Sequence, residues 1–200
     1  MMDRINICDA LINANQHLLK RNEIEPFLKC VITDDEKWIT YDNRKRQRSW
    51  KKDGEPSHAF TKLGLTLKKV MLCMWWDWKG IVHHEVLPVG QTINSQLYYE
   101  QLERLRHAIE KKRPELHNTK GVVFHHDNAR PHISLTTHKK LREFGWKILM
   151  HPPYSPNIAP SDYHLFRSLQ YSLNGIKLAS KEASASEKSG INTLSVPPYM

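Results

Sequence analysis

The sequence predicts an α/β domain built on a mixed five-stranded sheet with helices on both faces. Two apolar runs, Val70 to Trp76 and Ile81 to Leu87, flank the four-residue turn Asp77-Trp78-Lys79-Gly80 and read as an antiparallel hairpin. After the hairpin, helical and strand-like segments alternate, which sends helices to both sides of the sheet. The chain has 200 residues and 40% hydrophobic content, enough for one domain with a sizeable core.

The elements follow in order. Ile7, Leu11, Ala14 and Leu18 form one stripe of an amphipathic helix over residues 4 to 21, which Asn22 to Pro26 breaks. This gives an N-terminal helix and linker over 1–26. The first strand, Phe27 to Thr33, is apolar enough to lie centrally, and Asp35 closes it. The hairpin supplies strands two and three. A helix from Asn94 to Arg113 carries Tyr98, Leu102, Leu105 and Ile109 on one face and stops at Pro114. Gly121 to His126 is the fourth strand, Pro131 to Phe144 a helix ended by Gly145, and Trp146 to Met150 the fifth strand. Pro160 opens a last helix bearing Leu165, Phe166, Leu169 and Leu173.

The connection from Asp42 to Lys69 is too long for an economical domain. Its 28 residues hold nine Lys and Arg against three acids, a net +6 within a chain of net charge +9. A solvated loop is the bland reading. A DNA-contacting arm is the sharper one: Arg44, Lys45, Arg46, Arg48, Lys51 and Lys52 would meet phosphates, with Trp50 and Phe60 interleaved. The overall basic balance, 30 Lys and Arg against 21 Asp and Glu, also favours a polyanionic partner.

Cys8, Cys30 and Cys73 form no paired motif, so neither a disulfide framework nor a thiolate zinc site is expected, and a reducing compartment follows. The twelve histidines show no zinc-site spacing. Asp3, Arg4 and Asp9 interrupt the N-terminus, and no run is long and apolar enough for a membrane span, so a soluble intracellular protein is expected with no membrane partner. From Ala179 the sequence turns to Ala, Ser, Lys and Glu, a composition expected to stay disordered over 179–200.

Three acids carry the chemistry. Asp35 follows the first strand, Asp127 follows the apolar triplet Val122 to Phe124, and Asp162 lies in the first turn after Pro160, where the helix dipole favours it. Each alone reads as a cap or turn former. Together they form an oxygen ligand set for hard divalent cations. Two Mg²⁺ or Mn²⁺ ions about 4 Å apart can activate a water or a 3′-hydroxyl on one side of a phosphodiester and stabilise the leaving oxygen on the other. Glu36 and His126 flank these acids as supporting partners. Asn128 and Arg130 would position phosphate or hold the Asp127 carboxylate, and an ion pair is the structural alternative for Arg130. Strand alternation turns Asp34 away from Asp35.

Three blocks carry a resemblance: Thr-Asp-Asp35-Glu-Lys-Trp, His-Asp127-Asn-Ala-Arg-Pro-His, and His-Pro-Pro-Tyr-Ser-Pro-x-x-Ala-Pro-Ser-Asp162-Tyr. Their order, and the 34 residues between Asp127 and Asp162, resemble the catalytic domain of mariner transposases over roughly residues 4 to 178. The resemblance implies a ribonuclease-H-like catalytic domain over 27–178, with the basic insertion at 42–69 as a clamp loop reaching a second copy of the chain. It also implies metal-dependent strand cleavage and strand transfer by the Asp triad in the nucleus. This chain departs from the family at Asp34, where relatives usually carry Gly, and at Asn157, where they mostly carry Asp. The paired helix-turn-helix domains of relatives do not precede Met1, and the ending Val-Pro-Pro-Tyr-Met reads as a truncated or altered frame. Two further readings therefore stand beside an active enzyme. One is a non-catalytic DNA-binding or dimerisation remnant of a decayed or domesticated copy. The other is a cellular nuclease of the ribonuclease-H type, which would have no need of the basic insertion.

Overall fold

The computed structural model describes residues 27–43, 68–116, 121–152 and 159–176, together with Lys20, Glu23, Ser155 and Pro156. The N-terminal helix, the insertion residues Arg44, Lys45, Arg46, Arg48, Lys51 and Lys52, position 157 and the tail beyond 178 lie outside the described residues.

The described chain forms strands β1 (Val31–Thr40), β2 (Lys69–Asp77) and β3 (Gly80–Leu87), helix α1 (Ser95–Lys112), strand β4 (Val123–His125), helix α2 (Leu135–Glu143), strand β5 (Lys147–Leu149), a π-helical turn (Ser161–Leu165) and helix α3 (Phe166–Leu173). The sheet order is β3-β2-β1-β4-β5. The β1–β2 and β2–β3 pairs are antiparallel, and the β1–β4 and β4–β5 pairs are parallel. This is the mixed five-stranded sheet that the hairpin and the later alternation predict.

Each face has its own core. Ile32, Cys73, Trp75, Val82 and Phe124 meet Tyr98, Leu102, Leu105 and Ile109 of α1 and Leu141 of α2. On the opposite face Ile39, Leu72, Met74 and Trp76 meet Leu165, Phe166 and Leu169. The period-two alternation of β1 and β2 and the helical spacing in α1 and α3 produce these layers directly. Cys30 and Cys73 are free and buried. Among the described residues no helix is long and apolar enough to cross a membrane.

Local signals set the helix ends. The Asn94 side chain accepts from the Leu97 amide at 2.8 Å and caps α1, and Ser134 caps α2 through the Thr137 amide. Gly145, at φ 70°, takes the left-handed conformation that stops α2. At the other end of α1, Arg113 grips the buried Asp77 carboxylate with two donors at 2.6 and 3.0 Å, fastening the helix to the β2–β3 turn.

Three boundaries differ from the sequence reading. Leu28 to Cys30 form a 3-10 turn, and β1 runs on to Thr40, so Asp35 lies within the strand and does not close it. The reason is pairing: Thr33 to Thr40 are in continuous register with Trp76 to Lys69 of β2, which holds the polar half of β1 extended. Helix α2 begins at Leu135, four residues after Pro131, because residues 130 to 133 form a turn and Ser134 supplies the cap. The outer parallel strands are three residues each, shorter than the runs that suggested them.

Candidate metal centre

β1 sorts its acids by alternation. Thr33 and Asp35 face the α3 side of the sheet, whereas Ile32, Asp34 and Glu36 face α1. The parallel partner of Thr33 is His125, so β4 delivers Asp127 beside β1 two residues after its last paired position. A cleft of about 500 Å³ opens here, and Asp35, Asp127 and Asp162 all line it.

Asp162 reaches this cleft because its helix is anchored one residue earlier. The Ser161 hydroxyl, fully buried, accepts from the Trp76 indole at 2.9 Å, and the Asp162 amide bonds to the Ala159 carbonyl at 3.1 Å. Asp127 forms an Asx turn, its Oδ1 accepting from the Ala129 amide at 2.8 Å. The Glu36 amide donates to Asp35 Oδ1 at 2.8 Å.

The electrostatics fit a cation-binding donor set. Burial, the Asp162 carboxylate, and more weakly Glu36 and Asp127, push the Asp35 carboxyl up to about 7 despite the Glu36 amide. Such mutual repulsion is relieved when a divalent cation sits among the oxygens. Burial works to raise Asp127 too, but the hydrogen bonds from His132 and the Ala129 amide outweigh it and hold this carboxyl below its usual value. The cleft wall adds no positive charge of its own from His125, which burial and its neighbour His151 push down to about 4. His125 Nε2 and His151 Nδ1 lie 3.2 Å apart.

Asp34 borders the same cleft, but its carboxylate turns to the α1 side, where the Tyr98 hydroxyl donates to Oδ2. Burial and the nearby Glu36 raise it well above the ordinary carboxyl range. Its Oδ1 has no hydrogen-bond partner among the described residues.

The supporting residues take different places. Glu36 accepts from His132 Nε2 at 3.1 Å. His126 bonds to the Asp127 backbone carbonyl at 2.7 Å, not to its carboxylate. Asn128 donates to the His151 carbonyl at 2.6 Å and so holds the far wall of the cleft. Arg130 is exposed on the turn after Asp127 and makes no ion pair among the described residues. His132 is the residue of this site that sequence reasoning does not single out. Its Nδ1 lies 2.6 Å from Asp127 Oδ1 and the side chain is 2% exposed. A signal is present, since His132 ends the block that begins at His126, but only the turn at Ala129, whose carbonyl accepts from the His132 amide at 2.9 Å, folds it back onto Asp127.

Comparison with known proteins agrees with this architecture. A family model described as "Transposase (partial DDE domain)" matches residues 40–119. The chain is 42% identical over 158 residues to the Homo sapiens protein "Histone-lysine N-methyltransferase SETMAR", covering 79% of this chain and 23% of that protein. It is 40% identical over 162 residues to the "Mariner Mos1 transposase" of Drosophila mauritiana, covering 80% and 47%. The chain thus spans less than half the length of these two relatives. Among solved structures, the Mos1 paired end complex with Mn matches at a TM-score of 0.81 and 36% identity, over 92% of this chain and 54% of that one. The catalytic domain of Mos1 mariner transposase matches at a TM-score of 0.72 and 33% identity, over 90% of this chain and 78% of that domain. At 33% identity over 78% of that domain, the chain belongs to the mariner transposases and corresponds to their catalytic domain, with its ribonuclease-H-like fold.

Proposed function

We propose that this domain carries out metal-dependent phosphoryl transfer on DNA, the strand cleavage and strand transfer of a mariner-type transposase. The observation that carries the reading is the convergence of Asp35, Asp127 and Asp162 on one cleft, close enough for Asp162 and Asp127 to raise Asp35. These three residues would hold two Mg²⁺ or Mn²⁺ ions, cations that take oxygen donors. Bound there, the ions would supply Lewis-acid polarisation of the phosphodiester and a more acidic attacking water or 3′-hydroxyl.

The residues of the chain prepare that site. His132 and the Ala129 amide favour the charged form of Asp127, and Asp35, raised by burial and Asp162, would give up its proton to bind a cation. Asp162 is carried by a turn that Trp76 fastens to the sheet. The polyanionic substrate is supported by the net +6 between Asp42 and Lys69, where Arg44, Lys45, Arg46, Arg48, Lys51 and Lys52 would contact backbone phosphates. In the family this segment reaches a second subunit, so a homodimer on DNA, acting in the nucleus, completes the proposal.

The test is Mn²⁺-dependent nicking of supercoiled plasmid by the purified chain beside an Asp127→Asn variant. Nicking by the wild type that the variant lacks is the expected result. Equal activity in both would assign the cleavage to a contaminant, and DNA binding without nicking would leave a non-catalytic DNA-binding module.

A further inference from the structure

We propose that His132 is a positioning residue of the metal centre, whose two ring nitrogens bridge Asp127 and Glu36 and so lock Asp127 to the strand carrying Asp35. The proposal rests on the reading of Asp127 as a metal ligand.

The geometry begins with the two nitrogens. Nδ1 lies 2.6 Å from Asp127 Oδ1, and Nε2 lies 3.1 Å from Glu36 Oε1. Both ring nitrogens are therefore engaged by carboxylate oxygens, one on each side of the ring. The ring is also packed on two sides: the Tyr98 ring lies against it at a 35° tilt with centroids 4.3 Å apart, and the His126 ring meets it edge-on at 5.7 Å. At 2% exposure the ring is shielded from bulk solvent.

Two consequences follow for the site. Asp127 Oδ1 already accepts from His132 and from the Ala129 amide, so Oδ2 is the oxygen left to face the cleft. Glu36 is the residue after Asp35 in β1 and lies 96 positions from His132, so the chain Asp127–His132–Glu36 ties two motif blocks together through side chains as well as through the sheet. Hydrogen-bonded partners of this kind orient metal ligands, and their loss typically lowers metal affinity by about 10- to 100-fold.

The same neighbourhood offers a competing role. Asp34, Glu36 and His132 each present one ligand atom, all within 4.8 Å of one another, a spacing that could hold a cation. In that case Nε2 would be a ligand and could not donate to Glu36.

The test measures Mn²⁺ affinity of the full 200-residue chain by the electron paramagnetic resonance signal of free Mn²⁺, with the metal-free thermal midpoint recorded for every variant. His132→Leu should weaken Mn²⁺ binding about 10- to 100-fold. His132→Asn, which restores a donor near the Nδ1 position, should recover part of that loss. Glu36→Gln should weaken binding in the wild-type background and have no effect in the His132→Leu background. Wild-type affinity in both His132 variants, in a protein whose binding Asp127→Asn abolishes, would overturn the proposal. So would a loss that His132→Asn does not recover and that tracks a falling metal-free midpoint, since that is packing alone. Tight binding of an additional Zn²⁺ that Asp34→Asn abolishes would overturn it in favour of a cation at the Asp34 cluster. If Asp127→Asn itself binds Mn²⁺ like the wild type, the reading of Asp127 as a ligand is what has failed.

Discussion

The indole Nε1 of Trp76 donates to the hydroxyl of Ser161 across 2.9 Å, with both residues at or below 1% exposure. This one bond connects β2 to the turn whose next residue is Asp162. Ser161→Ala would remove the hydroxyl acceptor of this buried bond, a cost of about 1 to 3 kcal/mol. It would also free the Asp162 turn, so Mn²⁺ affinity should fall together with the thermal midpoint. Adding Trp76→Phe to Ser161→Ala removes the donor of the same bond, though it narrows a large core side chain. The double variant should therefore lose less than the sum of the two single changes, as a double-mutant cycle would show.

Asp35 gives the metal-free protein a pH dependence of definite sign. Its carboxyl is held at about 7 in the folded chain against an ordinary value of 3.8. Between those limits the folded state keeps a proton that the unfolded chain has released. Its contribution is therefore fully present at low pH and is lost as pH rises towards 7, at no more than about 1.4 kcal/mol per pH unit. Asp35→Asn should remove that slope. Urea midpoints from pH 4 to 8 should show the variant gaining on the wild type up to about pH 7, with a constant gap above it. Mn²⁺ added above pH 7 should raise the wild type and leave the variant less affected.

Asp77 and Arg113 test the architecture apart from the site. The Asp77 side chain is 1% exposed and Arg113 is the cation that its two carboxylate oxygens meet. Removing one partner of a buried pair leaves a charge uncompensated, so Arg113→Ala should destabilise by about 3 to 5 kcal/mol. Chemical denaturation measures this. Arg113→Lys should recover only part, because an ammonium cannot reproduce the two-pronged grip.

The proposed contact of the basic segment with DNA predicts a salt signature. Neutralising Arg44, Lys45, Arg46 and Arg48 should weaken binding equally for unrelated DNA sequences and flatten the slope of log affinity against log salt by up to about 0.9 for each phosphate no longer neutralised. Fluorescence anisotropy at several salt concentrations reads both. An unchanged slope would return this segment to the role of a solvated loop.

Much of the fold is legible in the sequence because its signals are local. The hairpin is announced by its turn, and alternation along β1 puts Asp34 and Asp35 on opposite faces. The end of β1 is not legible. Asp34, Glu36 and Lys37 carry no apolar signature, and what keeps them extended is the register with Cys73, Leu72 and Trp75 on β2, distant in sequence. His132 escapes for a related reason. Sequence spacing shows a histidine five residues after Asp127, but not that the intervening turn brings it back to 2.6 Å.

The sequence by itself determined the alternation of elements, the placement of three candidate acids and the 34-residue interval that separates the last two. Those are properties of residue type and order. Tertiary structure decided that β1 and β4 lie side by side, that Asp162 joins them through Ser161 and Trp76, and that Asp35 in consequence holds its proton to about pH 7. Repulsion between carboxylates depends on separation and burial, and for groups this far apart in the chain both are set by packing.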